Sequence, residues 1–285
     1  MRVFITGATG YIGGAVAAAL RIRGHEVAAL VRADADAKRL RDLGVFLLTG
    51  DLQSLPDLRD QLEGYDAFVH TAQSAKDAAA ADRAAVDTFT SLPGHVVYTS
   101  GVWVLGNTHG ADESSDVNPL SIVRWRPPHE ELVLGSGGAV LRPGCVYGGK
   151  QSLFAAWFAA AEQNEPIRIT GDGNNRWALV DLHDLSDLYV RAVEQRATKV
   201  LHGIDDSRST LNECAAAVSS ASSGSSTVEH VPLDIARATL GELADALSID
   251  QTIDSRETRA KLGWEPKRTF VSSVGEQWRE WRELQ

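Results

Sequence analysis

A glycine-spaced loop begins at residue 7, directly after a short apolar stretch, and no other feature restricts the fold as much. Residues 3–6 have the character of a buried strand. Thr6-Gly7-Ala8-Thr9-Gly10-Tyr11-Ile12-Gly13 then leads into an alanine-rich helix predicted over 11–23. In this GxxGxxG pattern each glycine has its own task. Gly7 allows a tight turn off the strand, Gly10 lets backbone approach a pyrophosphate, and Gly13 lets the helix pack closely on the sheet. The helix then presents free N–H groups and its positive dipole end to the phosphates. The loop, with Thr9, Tyr11 and Ile12 in it, is therefore read as a dinucleotide site. A glycine-rich turn without a ligand is the alternative.

The following residues repeat the strand–helix alternation. Residues 26–32, 45–49, 67–71 and 96–100 read as strands. Helices are predicted over 34–43, 55–62 and 76–92, the last halted by Pro93-Gly94. Short connections and nearly continuous apolar strands predict an α/β fold, a doubly wound parallel sheet covered on both faces. The second half is less regular. It suggests a helix over 120–134, bent or restarted at Pro127-Pro128, a strand over 139–142 and a helix over 153–162. A strand over 167–169, a helix over 185–193, a serine-rich loop or frayed helix end over 219–227 and a tail helix to Glu283 follow. No fixed-period repeat and no long linker divides the chain. The expectation is one dinucleotide-binding domain over 1–285, with a small cap for substrate built mainly from about 150–180 and 203–285.

Charge and cysteine content narrow the function classes. With 28 basic and 38 acidic residues the net charge is −10, which argues against a nucleic-acid partner. Two cysteines, Cys145 and Cys214, make no disulfide framework and fit a reduced, cytoplasmic protein. No apolar run is long enough to span a membrane, and no leader peptide is read before the glycine loop. HExxH, CxxC and calcium-loop patterns are absent, so no metal is expected. At the end of the second strand, where an NAD site carries an acid for the ribose 2′-hydroxyl, the chain has Arg32. An arginine there matches a 2′-phosphate, which favours NADP over NAD; a solvated strand-end arginine is the plain alternative.

Further motifs carry a resemblance. Thr6–Gly13, Gly50-Asp51-Leu52 and Val97-Tyr98-Thr99-Ser100 resemble the extended short-chain dehydrogenase/reductases, including the NAD-dependent epimerase/dehydratase group. So do Leu141-Arg142-Pro143-Gly144-Cys145-Val146-Tyr147-Gly148, Val180-Asp181-Leu182-His183-Asp184-Leu185 and Leu262-Gly263-Trp264-Glu265-Pro266. The likeness runs through essentially the whole chain. It implies a Rossmann sheet with a small C-terminal substrate part. It also implies that Asp51 and Leu52 lie near the adenine, and that Thr71-Ala72-Gln73 and Pro143, Gly144 and Val146 line the cofactor. The family's usual dimer pairs through the helices after strands four and five. Here the first is polar and alanine-rich and the second is interrupted by prolines, so a homodimer is left open.

The family's chemistry uses a tyrosine, a lysine four residues later, and a serine or threonine after the fifth strand. This chain departs at all three. Aligned on Glu130-Glu131-Leu132-Val133-Leu134, the tyrosine position falls on Ile122 and the lysine position on Arg126; a three-residue shift gives Trp125 and His129. The serine position falls on Gly101, one place after Ser100. Isoleucine transfers no proton, and arginine, with a pKa above about 12, is a poor donor that can still grip a ribose hydroxyl. The remaining candidates are Ser100 as carbonyl donor, with Tyr147 and His129 near the same region. Each has a plain alternative: a strand-end cap, a packing tyrosine and a surface histidine. Trp103, Trp125, Trp157 and Trp177 fall in segments that border the family's substrate cleft. Asn174-Asn175-Arg176-Trp177 resembles the loop that meets substrate in sugar-nucleotide members, although one arginine does not make a nucleotide-sugar site. Two functions stay open. One is an atypical NADP-dependent oxidoreductase or epimerase-like enzyme on a small carbonyl, hydroxyl or sugar-like substrate. The other is a non-catalytic NADP-binding redox sensor, as among the family's nitrogen-metabolite regulators.

Overall fold

The computed structural model describes residues 1–222 and 226–285. Five short apolar segments form parallel strands in chain order: β1 (Arg2–Thr6), β2 (Glu26–Val31), β3 (Phe46–Thr49), β4 (Ala67–His70) and β5 (His95–Thr99). Two more, Ala139–Pro143 and Lys199–Gly203, complete a seven-stranded sheet. Across the sheet the order is Lys199–Gly203, Ala139–Pro143, β5, β4, β1, β2, β3, and every pairing is parallel. The chain thus builds outward from β1 through β2 to β3, then returns to the other side of β1 for β4. β1 and β4 are neighbours whose outgoing connections run to opposite faces.

Two apolar layers cover the sheet. One includes Val16, Ala17 and Leu20 of helix α1 (Tyr11–Ile22), Leu185 and Leu188 of the helix Leu182–Glu194, and the fully buried Trp264. The other gathers Phe4, Phe68, Phe89 and Val133 beneath the helices Ala78–Thr90 and Arg126–Gly135. A third cluster lies apart from the sheet. It joins Phe154, Trp157, Ile169, Trp177, Leu211, Phe270, Trp278 and Trp281. Asp181 caps the Leu182–Glu194 helix by accepting from the His183 and Asp184 amides at 2.8 and 3.2 Å. The Asp184 carboxylate accepts from the Lys267 and Arg268 amides, and its carbonyl accepts from the Trp264 indole at 2.8 Å. The acidic 181–184 segment therefore secures the C-terminal tail to the sheet layer.

Several expectations from sequence change. The helix expected over 120–134 is a 3₁₀ turn, Ser121–Val123, followed by a helix starting at Arg126. Pro127 and Pro128 lie in its first turn, where a missing N–H costs nothing, so there is no bend to explain. The second helix shortens to Lys38–Asp42. The strand Lys199–Gly203 and the small parallel pair Thr108–Ala111 with Gln251–Ile253 were not foreseen. Within the serine-rich stretch, 219–222 continue the helix Leu211–Ser222, and 223–225 lie outside the described residues.

The turn from β1 into α1 is the tightest junction of the sheet. Gly7 sits at φ +79°, in the left-handed region that favours glycine. A Cβ on Gly13 would lie 2.2 Å from the Gly7 carbonyl oxygen and 2.4 Å from Thr71 Oγ1. Gly13→Ala must therefore push backbone against backbone, and it is expected to cost about 1–3 kcal/mol in urea unfolding. Gly135→Ala, where an added Cβ meets nothing within 4 Å, is expected to be neutral or slightly stabilising in the same measurement.

Candidate functional site

Almost every sequence-flagged residue follows the carboxyl end of a parallel strand: Gly7 after β1, Arg32 after β2, Asp51 after β3, Thr71 after β4, Ser100 after β5. The strand Ala139–Pro143 brings Pro143 and Gly144 to the same edge. In open α/β sheets this is the edge where ligands bind, at the point where strand order reverses. Two clefts occupy it and meet at Gln73.

The first cleft, about 580 Å³, is lined by Gly7, Thr9 and Gly10 of the glycine loop, Arg32, Asp51, Leu52, Thr71, Ala72 and Gln73. Helix α1 points its N-terminus at this cleft. Gly10 is its cap residue, no side chain caps it, and its first turn holds no acid, so its positive end is uncompensated by the chain. Arg32 is largely exposed, with Nε 3.7 Å from Asp34 Oδ1. The Asp51 carboxylate is committed to backbone, accepting from the Gln53 and Ser54 amides at 3.0 and 2.9 Å. Lys76 also lines the cleft. The sequence reading passed over it as a helix start; its signal was a second cation close after β4.

The second cleft, about 350 Å³, is lined by Tyr11, Ile12, Gln73, Ser100, Ile122, Arg126, Pro143, Gly144 and Val146, with Trp103, Cys145 and Leu153. Ile122 and Arg126 both face it, as the first alignment register placed them. His129 does not. Arg126 opens its helix, with its guanidinium 4.4 Å over the Trp125 ring. It donates to the Thr99 carbonyl at 2.7 Å and to the Gln73 side-chain oxygen at 3.0 Å. This grip joins the ends of β4 and β5. Ser100 is buried, lines the cleft, and its hydroxyl has no hydrogen-bond partner among the described residues. At Gly101 the nearest atom to an added Cβ, the Pro143 carbonyl oxygen, is 4.0 Å away. The family's serine position is thus open space beside the Ser100 hydroxyl.

The other flagged groups are held elsewhere. Gly13 lies behind the loop, packed on Gly7. Tyr147 is fully buried and lines neither cleft; its hydroxyl donates to Asp205 Oδ2 at 2.7 Å. Burial and the Asp205 charge push that phenol far up, away from proton donation. Burial likewise raises Asp205 to about 6, against the opposing hydrogen bonds from Ser207 and Tyr147. Tyr11 does face the cleft, but its hydroxyl donates to the Gly148 carbonyl at 2.6 Å, and burial raises its pKa, with Asp181 and Glu280 adding to it. Burial pushes the Cys145 thiol up to about 12, despite a hydrogen bond from Trp103, so it is no ready nucleophile.

His129 is not at the surface but buried in a polar network whose members come from separate parts of the chain. Asp82, on the helix Ala78–Thr90, holds three side chains together. Its carboxylate lies 2.7 Å from His129 Nδ1 and 3.1 Å from His70 Nε2, and accepts from the Tyr98 hydroxyl at 2.9 Å. His70 continues to Thr6 Oγ1 at 2.6 Å, at the end of β1. Arg126 Nη1 reaches the Tyr98 hydroxyl at 3.4 Å. Burial opposes ionisation of Asp82, yet the bonds to His129 and His70, with the His70 and Arg126 charges, hold its carboxyl well below the ordinary range. The network therefore ties the glycine-loop strand to the arginine that faces the second cleft.

Comparison with known proteins places this geometry. The profile described as the NmrA-like family matches residues 1–90. An uncharacterised protein of Saccharomyces cerevisiae is 29% identical, over 94% of this chain and 95% of its own. The 4-hydroxy-2-methyl-3-oxo-4-farnesyl-3,4-dihydroquinoline-1-oxide ketoreductase of Stigmatella aurantiaca is 27% identical over 61% of this chain and 58% of its own. Among solved structures, the UDP-glucose 4-epimerase of Thermotoga maritima with UDP-glucose superposes with a TM-score of 0.85 at 16% identity, covering 99% of each chain. The chain has the extended short-chain dehydrogenase/reductase fold.

Removing the network's shared acceptor tests how much of the fold it holds. Asp82→Asn is expected to lower unfolding free energy at pH 7 by about 3 kcal/mol, because buried partners lose their counter-charge. A carboxyl depressed in the folded state stabilises above its unfolded value of about 3.9 and loses that contribution as pH falls. The wild type should therefore lose stability more steeply than the variant below about pH 4, in urea melts followed by circular dichroism.

Proposed function

We propose that this protein is an NADP-dependent oxidoreductase acting on a carbonyl or hydroxyl compound, with Ser100 in place of the family's tyrosine as the group that meets the substrate oxygen. One observation carries the reading: the paired clefts run from an uncapped helix N-terminus at one end to a buried, unpartnered hydroxyl at the other. A dinucleotide fits both ends of that path. Gly7 and Thr9 would offer backbone N–H groups to the pyrophosphate, while Gly10, its own N–H spent on the Gly7 carbonyl at 2.8 Å, would let the backbone come close. Asp51 and Leu52 would border the adenine, and Thr71, Ala72 and Gln73 the middle of the molecule. Tyr11, Ile12, Pro143, Gly144 and Val146 would wall the nicotinamide, with Arg126 on its ribose. Arg32 supports the 2′-phosphate form, and Lys76 is a second cation on the same cleft.

The bound dinucleotide supplies or accepts a hydride. The chain's own part is to hold the substrate oxygen and control the proton. Ser100, whose buried hydroxyl has its donor uncommitted, would give a hydrogen bond to the substrate carbonyl. Arg126 stays charged and positions by direct contact, fixed by Thr99, Gln73 and Trp125. Ile122 keeps the tyrosine's place apolar. The Stigmatella relative is named a ketoreductase, which supports carbonyl chemistry over sugar epimerisation. A redox-sensor reading draws on Ile122, because a cleft without a tyrosine–lysine pair can bind a dinucleotide and leave it unchanged.

Binding and turnover separate these readings. Arg32→Asp is expected to weaken NADPH binding tenfold or more, about the value of one charge-assisted contact, while NADH binding holds or improves. Nicotinamide fluorescence reads both, and equal loss for both would remove the NADP assignment. Ser100→Ala is expected to keep NADPH affinity and lower kcat/KM with a carbonyl substrate by about tenfold to a hundredfold. A wild type that binds NADPH tightly but oxidises none against a panel of ketones and aldehydes would favour the sensor.

A further inference from the structure

A cavity of about 680 Å³ lies in the cap, away from the glycine loop. Its walls come from the helix Ala155–Glu162, the parallel strands Ile167–Thr170 and Val228–Val231, and the helices Leu233–Leu240 and Leu243–Ser248. Leu153 lines this cavity and also the second cleft, so the two spaces meet at one side chain. The two spaces are therefore neighbours, with Leu153 at their boundary.

The lining is apolar where a ligand would lie. Trp157 and Trp177 stand with ring centroids 6.2 Å apart, and the Trp177 indole N–H is spent on the Leu247 carbonyl at 3.1 Å. Leu153, Ile235 and Leu240 are among the few large apolar side chains left exposed, at 41%, 57% and 42%. A folded chain leaves such a set together where a ligand covers it. The charged lining is Arg168 against Glu165 and Glu229, with Arg168 paired to Glu229 at 2.9 Å, so no unpaired cation faces the space. The polar groups that sequence likeness offered for a diphosphate are also engaged. Asn175 donates to the Leu247 and Ile249 carbonyls, and Arg176 to the Arg208 carbonyl, beside Asp250 at 3.6 Å. A nucleotide diphosphate would bring two negative charges to a wall with two carboxylates and one cation, which is already paired.

We infer that the cap cavity binds the body of the substrate, and that the substrate is a neutral, mainly apolar carbonyl compound whose oxygen reaches Ser100 past Leu153. This rests on the oxidoreductase reading above and narrows its substrate class. The test uses the full chain with NADPH bound, titrated with 2-acetonaphthone and, separately, with UDP-glucose. Tryptophan fluorescence reads the cap and nicotinamide fluorescence reads the cofactor in the same sample. The ketone is expected to quench tryptophan emission saturably. Ile235→Glu, a rim substitution that leaves the sheet untouched, should weaken that binding about tenfold, the scale of one exposed aliphatic contact replaced by a charge, with NADPH affinity unchanged. No saturable quenching, equal quenching in Ile235→Glu, or tighter binding of UDP-glucose than of the ketone would overturn the inference. Failure of NADPH to bind would instead overturn the oxidoreductase reading, and the ketone titration would still report on the cavity.

Discussion

The reversal of strand order between β1 and β4 is the constraint from which the rest of the site follows. Strands laid outward in opposite directions from a shared centre leave a crevice above the centre, because their connections diverge to opposite faces. The backbone must enter that crevice without filling it. Gly7 turns in a left-handed conformation, and Gly13 brings the helix within touching distance of Gly7 and Thr71. Any side chain at these positions would push α1 off the sheet, and the N–H groups at its start would no longer converge on one point.

The same crevice has a polar floor. Thr6 ends β1, His70 ends β4, and both connect to Asp82 below them. From Asp82 the bonds run to His129, one turn into the helix that Arg126 begins, and through Tyr98 to Arg126 itself. A buried carboxylate is costly unless its hydrogen bonds are satisfied, and here several donors from different elements satisfy it. The arrangement fixes the helix bearing Arg126 against the strands bearing the glycine loop. Arg126, at the edge of the second cleft, is thereby tied to the same network as the strand that enters the loop.

Much of this was legible in the sequence because the sheet is made of local signals. Five short apolar runs, each closed by glycine or a polar residue, define five strands and place the residues that follow them on one edge. The cap was less legible, since its strands pair across long separations: Ile167–Thr170 with Val228–Val231, and Thr108–Ala111 with Gln251–Ile253. No periodicity within three or four residues announces such partners. The roles of Tyr147 and His129 were hidden for the same reason. Their partners, Asp205 and Asp82, lie 58 and 47 residues away, and only the fold decides that one tyrosine is buried on a carboxylate while a serine is left free.

Motif likeness and motif use also part company in the cap. Asn174-Asn175-Arg176-Trp177 has the residue types that could receive a phosphorylated ligand, yet the chain turns three of its polar contacts inward. Asn175 and the Trp177 indole N–H both meet the Leu247 carbonyl, and Arg176 lies against Asp250, so the segment serves as a clasp for residues 247–250. Those contacts fix the Asn175 amide and the Arg176 side chain in place against the chain. What the clasp leaves facing the cavity is the indole face of Trp177 beside Trp157. The cap thereby gains a fixed shape and loses its diphosphate donors in a single arrangement. The cap's indole faces and the Ile122 side chain in the second cleft act alike: each presents shape to the neighbouring space, while Ser100, Arg126 and Gln73 are polar groups that line the cleft.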